Sequence, residues 1–264
     1  MKFRNLGGKA VLYRNLHPED ITLTMRSRLT KASEAGDMII EHFDFQVLAG
    51  AEMIYEGTTY FGFFSKQALA NQVGIRGAEA LVYTPVTSET NSGPVFEFPA
   101  PRPTTPDDTA LDADTGLALP ATALCMLDRI ELYEAEGGKA GLGFVQGTKV
   151  VNPEEWFFQA HFYQDPVIPG SLGLESFLQL LKFAARERWP HLIKSHRFEM
   201  VAEDPHEWSY RGQVVPANKL VTVEAEVTQV DNEPAPALYA DGFLKVDGIY
   251  IYQMKHFGLR LVRL

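Results

Sequence analysis

The segment Asn152-Pro-Glu-Glu-Trp-Phe-Phe-Gln-Ala-His161-Phe-Tyr-Gln-Asp-Pro-Val-Ile-Pro-Gly170-Ser-Leu-Gly-Leu-Glu175-Ser-Phe-Leu-Gln179 decides the fold. It sets one histidine, His161, among aromatic side chains. A stiff turn with two prolines, Pro166 and Pro169, follows, and then Gly170 opens an apolar stretch. That stretch predicts a helix from about Ser171 to Arg188, ended by Trp189-Pro190, because the residue before a proline is pushed out of the helical region. Leu172, Leu174, Phe177, Leu178, Leu180, Leu181 and Phe183 go round most of its circumference. Such a helix is expected to be buried on several sides.

The flanks read as strands. Residues 220–230 alternate, and two more strands are expected over 237–246 and 250–261, joined by the turn Asp247-Gly248. Alternation with an Asp-Gly turn is a strong hairpin signal. Upstream, strands are expected over 124–133 and 141–151, about the turn Gly137-Gly138. A buried helix wrapped by a long antiparallel sheet is an α+β arrangement.

Residues 3–64 repeat the plan without the helix: Gly7-Gly8, strands over 21–29, 38–48 and 52–64, and a turn at Ala49-Gly50. Both stretches end in a similar phrase, Ile54-Tyr55 with Phe61-Gly62 in one and Ile251-Tyr252 with Phe257-Gly258 in the other. Between them, residues 93–106 carry five prolines and 107–115 four aspartates. Proline removes backbone donors, so this stretch is expected to be a linker or a surface strap. The expected division is an incomplete or degenerate repeat over 1–83, a Pro/Asp-rich linker over 84–120 and a complete domain over 121–264.

With 264 residues the chain is long enough for a real core, and its 45% apolar and 22% charged residues are ordinary for a globular protein. The net charge of −10 lacks the basic surplus of a general nucleic-acid binder. One cysteine, Cys125, excludes an internal disulfide and is expected to be buried and inert. No apolar run approaches the roughly 18–20 residues of a membrane span. The amino terminus lacks a signal-peptide core. A soluble, cytoplasmic protein is expected. No Cys/His cluster, Gly-x-Gly-x-x-Gly fingerprint or Walker-type loop occurs, in keeping with a chemistry that needs neither metal nor organic cofactor. His17, His42, His191, His196, His206 and His256 lack ligand-like spacing and are read as structural or surface residues.

Chemistry concentrates in the opening segment. Burying the Glu175 carboxylate among Leu174, Phe177 and Leu178 costs on the order of several kcal/mol and raises its pKa, which suits a general acid. His161 can act as a base near neutral pH. The helix start at Gly170-Ser171 offers unpaired N–H groups for a developing negative oxygen. Each residue also has a plainer reading. His161 fits a structural histidine, Glu175 a helix-start cap, and the proline turn a helix entry. The residues alone leave both readings open.

The segment resembles the active-site stretch of the hot-dog-fold β-hydroxyacyl-thioester dehydratases. Among these are the bacterial 3-hydroxydecanoyl-carrier-protein dehydratase/isomerase and the dehydratase domains of polyunsaturated fatty acid synthases. The shared pattern is Trp-Phe-Phe-x-x-His-Phe-x-x-Asp-Pro-Val-x-Pro-Gly-x-Leu-Gly-Leu, the acid, and a Gln four residues later. The resemblance extends to Met126-Leu-Asp-Arg129 and Tyr210-Arg-Gly-Gln-Val-Val-Pro216 and covers 121–262. It implies a hot-dog fold, here a double hot dog with a degenerate or truncated first repeat. It also implies roles: His161 as base, Glu175 as acid, Gly170 as the N–H donor to the thioester carbonyl, and Gln179 orienting the acid. The decanoyl enzyme has Asp where this chain has Glu175, which leaves dehydration firmer than double-bond isomerisation.

The implied reaction is dehydration of a 3-hydroxyacyl thioester to a trans-2-enoyl thioester in fatty acid, polyunsaturated fatty acid or polyketide synthesis. The implied partners are an acyl chain on a carrier-protein phosphopantetheine arm, the acyl carrier protein, other domains of a multi-domain synthase, and a second copy in a homodimer. Lys182, Arg186, Arg188 and Lys194 are candidates for carrier docking. A hot-dog acyl thioesterase and a non-catalytic pseudo-domain are the rival readings.

Overall fold

A computed structural model describes residues 1–17, 19–20, 22–36, 38–70, 73–86, 95–98 and 122–264. Four long strands come first: β1 (Lys2–Leu12), β2 (Leu23–Ala35), β3 (Met38–Ala49) and β4 (Glu52–Phe64). A five-residue helix, α1 (Lys66–Ala70), and the short strand β5 (Phe96–Glu97) follow. Next come β6 (Arg129–Glu134), β7 (Phe144–Val150), α2 (Trp156–Ala160) and the nineteen-residue helix α3 (Gly170–Arg188). The chain closes with β8 (His196–Met200), β9 (Pro205–Tyr210), β10 (Leu220–Asp231), β11 (Ala237–Val246) and β12 (Ile249–Arg263).

The strands form one antiparallel sheet in the order β2-β3-β4-β1-β9-β12-β11-β10-β7-β6-β5, with β8 beside β12. Outward from the β1–β9 junction, the order β1-β4-β3-β2 on one side mirrors β9-β12-β11-β10 on the other. Alternation explains the strands: in β10, Val221, Val223, Ala225 and Val227 are all buried. On the second half of the sheet lies α3, packed against β7, β10, β11 and β12. Its Phe177, Leu180 and Leu181 are fully buried. Close approach needs glycine: a methyl at Gly173 would stand 2.7 Å from the Tyr252 ring, and one at Gly242 would stand 2.7 Å from Phe177. This is the α+β architecture expected from the sequence. Among the described residues, no helix of comparable length covers β1–β4, and none is long and apolar enough to cross a membrane.

Several boundaries differ from expectation. β6 begins at Arg129, not near 124, because the backbone at Leu124 and Met126 bonds to the Gln179 side chain and cannot pair as a strand. β7 begins at Phe144 because Gly141 and Gly143, at φ 67° and 139°, belong to the turn. The linker expected over 84–120 lies largely outside the described residues. Of its described part, Phe96 and Glu97 add an edge strand beside β6, and Phe98 enters the core.

The junction between the sheet halves is polar as well as hydrogen-bonded. Trp208 Nε1 donates to Asn5 Oδ1 (3.0 Å), Asn5 Nδ2 to Thr59 Oγ1 (2.9 Å), and Thr59 Oγ1 to the Gly7 carbonyl (3.0 Å). Trp208 lies directly over Gly8, where a methyl would collide with its ring. Arg4 grips Asp165 with two bonds, 2.6 and 2.9 Å, and Lys2 adds a second cation at 3.3 Å. The Arg4 guanidinium holds the Asp165 carboxyl below its usual range. A bidentate, charge-assisted and largely buried pair of this kind is worth about 1.5–3 kcal/mol. In urea denaturation, Arg4→Gln and Asp165→Asn are each expected to lower stability by about that amount, and the double variant by clearly less than the sum. Additive losses would mean that the two residues do not act as a pair.

Candidate active site

His161 caps the carboxyl end of α2, its N–H donating to the Phe157 carbonyl (2.9 Å). The chain then folds into a tight turn, with Phe162 and Asp165 exchanging backbone bonds of 2.9 and 3.0 Å, and returns so that Val167 N–H meets the His161 carbonyl (2.8 Å). His161 Nδ1 lies 3.1 Å from the Val167 carbonyl. A carbonyl oxygen only accepts, so Nδ1 carries the proton and Nε2 keeps its lone pair in the neutral ring. The turn is held from the other sheet half. Arg4 and Lys2 bind Asp165, Lys2 Nζ donates to the Gln164 carbonyl (2.7 Å), and Phe3 meets the Phe162 ring edge-on at 6.4 Å.

Gly170 is the first residue of α3, and Leu172 N–H bonds back to the Pro169 carbonyl (3.0 Å). The N–H groups of Gly170 and Ser171 lie ahead of the helical ladder, at its positive end. Tyr210 packs on the Gly170 α-carbon so closely that a methyl there would meet its ring carbon at 2.6 Å. Burial pushes the Tyr210 phenol well above its usual range, so the hydroxyl stays neutral and can donate.

Glu175 lies two residues beyond Gly173, about 200° round the helix. Since Gly173 faces the Tyr252 ring on the sheet, Glu175 is directed to the opposite side of α3. Its carboxyl Oε1 accepts from Gln179 Nε2 at 2.9 Å, one turn on. Gln179 is itself immobilised. It is fully buried, its Oε1 accepts from Met126 N–H (2.9 Å), and its Nε2 also donates to the Leu124 carbonyl (3.0 Å). Burial raises the Glu175 pKa, while the Gln179 bond and the Lys182 charge pull it partway back.

The structure therefore joins Glu175 to Gln179 and sets Gly170 under Tyr210. Among the described residues, no hydrogen bond or ion pair joins His161 to Glu175. Sequence reading did not single out Asp165, Arg4, Lys2 or Tyr210 as site-supporting residues. A Lys-Phe-Arg opening opposite an Asp-Pro turn carries a charge signal but no local pattern. Arg186 and Arg188, expected as docking cations, are engaged within the chain. Arg186 lies over the Phe96 and Phe183 rings (4.7 and 4.8 Å), and Arg188 donates to the Leu142 carbonyl (3.1 Å). Cys125 is buried, with its thiol pushed up by desolvation. No group of three or more His, Cys, Asp or Glu residues able to hold a metal occurs among the described residues.

Comparison with known proteins agrees with this architecture. Residues 119–255 match the FabA-like domain, just over half the chain. A polyunsaturated fatty acid synthase protein from Thraustochytrium sp. is 32% identical over 269 residues, which cover 98% of this chain and 18% of that protein's length. Among solved structures, an acyl-CoA thioesterase II from Mycobacterium marinum superposes with a TM-score of 0.50 at 9% identity, over 98% of this chain and 81% of the other. That likeness speaks for the fold alone. By its family match and its architecture, the chain belongs to the FabA-like family of hot-dog-fold proteins.

Proposed function

We propose that this chain dehydrates a 3-hydroxyacyl thioester to a trans-2-enoyl thioester as part of a fatty acid or polyunsaturated fatty acid synthase. In this reading residues 1–83 are an incomplete hot-dog repeat that supports a complete catalytic repeat over 121–264. The observation that carries it is the contrast between two titratable groups in one motif. His161 turns Nδ1 to the Val167 carbonyl, so in the neutral ring Nε2 is the basic nitrogen, and burial holds Glu175 toward its neutral form. His161 Nε2 removes the α-proton, the thioester oxygen takes up charge against the Gly170 N–H, and protonated Glu175 gives its proton to the departing hydroxyl. Water leaves, and no cofactor takes part. Gln179, fixed by three hydrogen bonds, orients the acid.

His161→Ala and Glu175→Gln are each expected to lower enoyl formation by at least about 100-fold, followed by enoyl absorbance with free thiol measured separately. Thiol release without enoyl product would make the chain a thioesterase, and unchanged dehydration in both variants would remove these residues from the mechanism. Two assemblies satisfy the chemistry: the pair meets within one chain or across a homodimer. Mixing the two inactive variants separates them, because activity returns only when the pair forms between chains.

The raised pKa of Glu175 has a second consequence. The folded chain binds this proton more tightly than the unfolded chain does, so stability falls as pH rises from the ordinary carboxylate pKa through the folded value. Glu175→Gln removes that penalty. It should therefore raise the melting temperature at neutral and alkaline pH, and the gain should vanish below the ordinary carboxylate range. An equal gain at every pH would refute the protonation argument.

A further inference from the structure

A cavity of about 360 Å³ lies where α1, β1 and the stretch after β9 meet. Its size falls near the lower end of ligand clefts, roughly 300–1,000 Å³. Leu6 and Phe64 form part of an apolar wall, while Arg4, Arg76, Arg211 and Gln213 bring polar groups to it. The cavity adjoins the candidate active site through two shared residues. Tyr210, on its wall, packs on Gly170, and Arg4 holds Asp165, four residues after His161.

The three arginines are not equivalent. Arg4 is neutralised by Asp165 and also bonds to Gln213. Arg211 donates to the carbonyls of Leu6 (2.7 Å) and Tyr210 (2.6 Å) and to the Tyr60 hydroxyl (3.3 Å), all of them uncharged. A guanidinium has five donors, so Arg211 is held in place with donors to spare. Arg76 is exposed, but the backbone before it is fastened down: Ile75 N–H donates to the Tyr250 carbonyl (2.7 Å), and Gly74 packs on Tyr250 at φ +72°. Among the described residues neither Arg76 nor Arg211 forms an ion pair with a carboxylate. In a chain of net charge −10, two such cations lining one partly apolar cavity are a local concentration of positive charge.

We propose that this cavity takes the phosphate-bearing end of the pantetheine arm, with Arg76 and Arg211 holding the phosphoryl group and the apolar wall receiving part of the arm. The inference rests on the thioester reading above and names the part of the substrate that reading left unassigned. The shared chemistry is the 4′-phosphopantetheine phosphate, which either an acyl carrier protein or coenzyme A supplies.

The test compares kcat/KM for 3-hydroxyacyl-phosphopantetheine and for 3-hydroxyacyl-pantetheine, in the intact chain and in the Arg76→Gln/Arg211→Gln variant. The intact chain is expected to prefer the phosphorylated substrate by about tenfold per guanidinium, and the double variant to show a ratio near one. A ratio near one in the intact chain, or one unchanged in the variant, overturns the site while leaving the dehydratase reading standing. If neither thioester is dehydrated, that reading fails, and calorimetric titration with free 4′-phosphopantetheine against pantetheine decides the site. Phosphate-dependent binding lost in the variant supports it, and equal binding overturns it. Should Arg211→Gln fail to fold, Arg76→Gln alone carries both measurements. Repeating them with carrier-protein and coenzyme A thioesters identifies the source, since the arginine dependence should be strongest for the true donor.

Discussion

Everything in this fold hangs on the antiparallel pairing of β1 with β9, from Gly7 opposite Ser209 to Val11 opposite Pro205. This ladder turns two four-strand units into one sheet and satisfies backbone edges that would otherwise be exposed. It works because Gly8 leaves room for Trp208, whose indole N–H begins the Asn5–Thr59–Gly7 hydrogen-bond chain. It also places the first four residues against the His161 turn, so Lys2, Phe3 and Arg4 reach Asp165, Gln164 and Phe162. The β1–β4 half of the sheet thereby bears directly on the segment richest in chemistry.

A second constraint lies on the far side of α3. Gln179 is a fully buried polar side chain, and such groups are tolerated only when satisfied. It meets that demand by binding the backbone at residues 124 and 126 and the Glu175 carboxyl together. The same residue thus keeps 124–126 out of the sheet and fixes the acid. Packing and chemistry are inseparable at this point, and a substitution made to alter one would disturb the other.

Much of this was legible in the sequence. The helix expected over 171–188 is Gly170–Arg188, and the strands expected over 52–64 and 237–246 have those bounds, because each carries its own periodic signal. β1 and β9 were harder to see. β1 has a register shift between Asn5 and Gly7, β9 begins at a proline, and both are defined by each other across some 200 residues. The Arg4–Asp165 pair has no local pattern, since 161 positions separate its members. His161, Gly170, Glu175 and Gln179 were visible as a motif. Which ring nitrogen of His161 is free, and how Gln179 is held, depend on backbone carbonyls that no residue identity reveals.

The path between the halves has a consequence of its own. After α1 the backbone is fastened to Tyr250 through Ile75, Tyr83 lies 5.2 Å from the Phe144 ring, and Phe96 and Glu97 join the edge beside β6. The two four-strand units are therefore covalently tied, and their association is unimolecular and independent of protein concentration. In a symmetric pair of separate subunits every change is imposed on both copies at once. Tying them in one chain lifts that restriction. The half that carries His161 to Gln179 and the half that braces it through Arg4 can then change independently, an asymmetry closed to a homodimer.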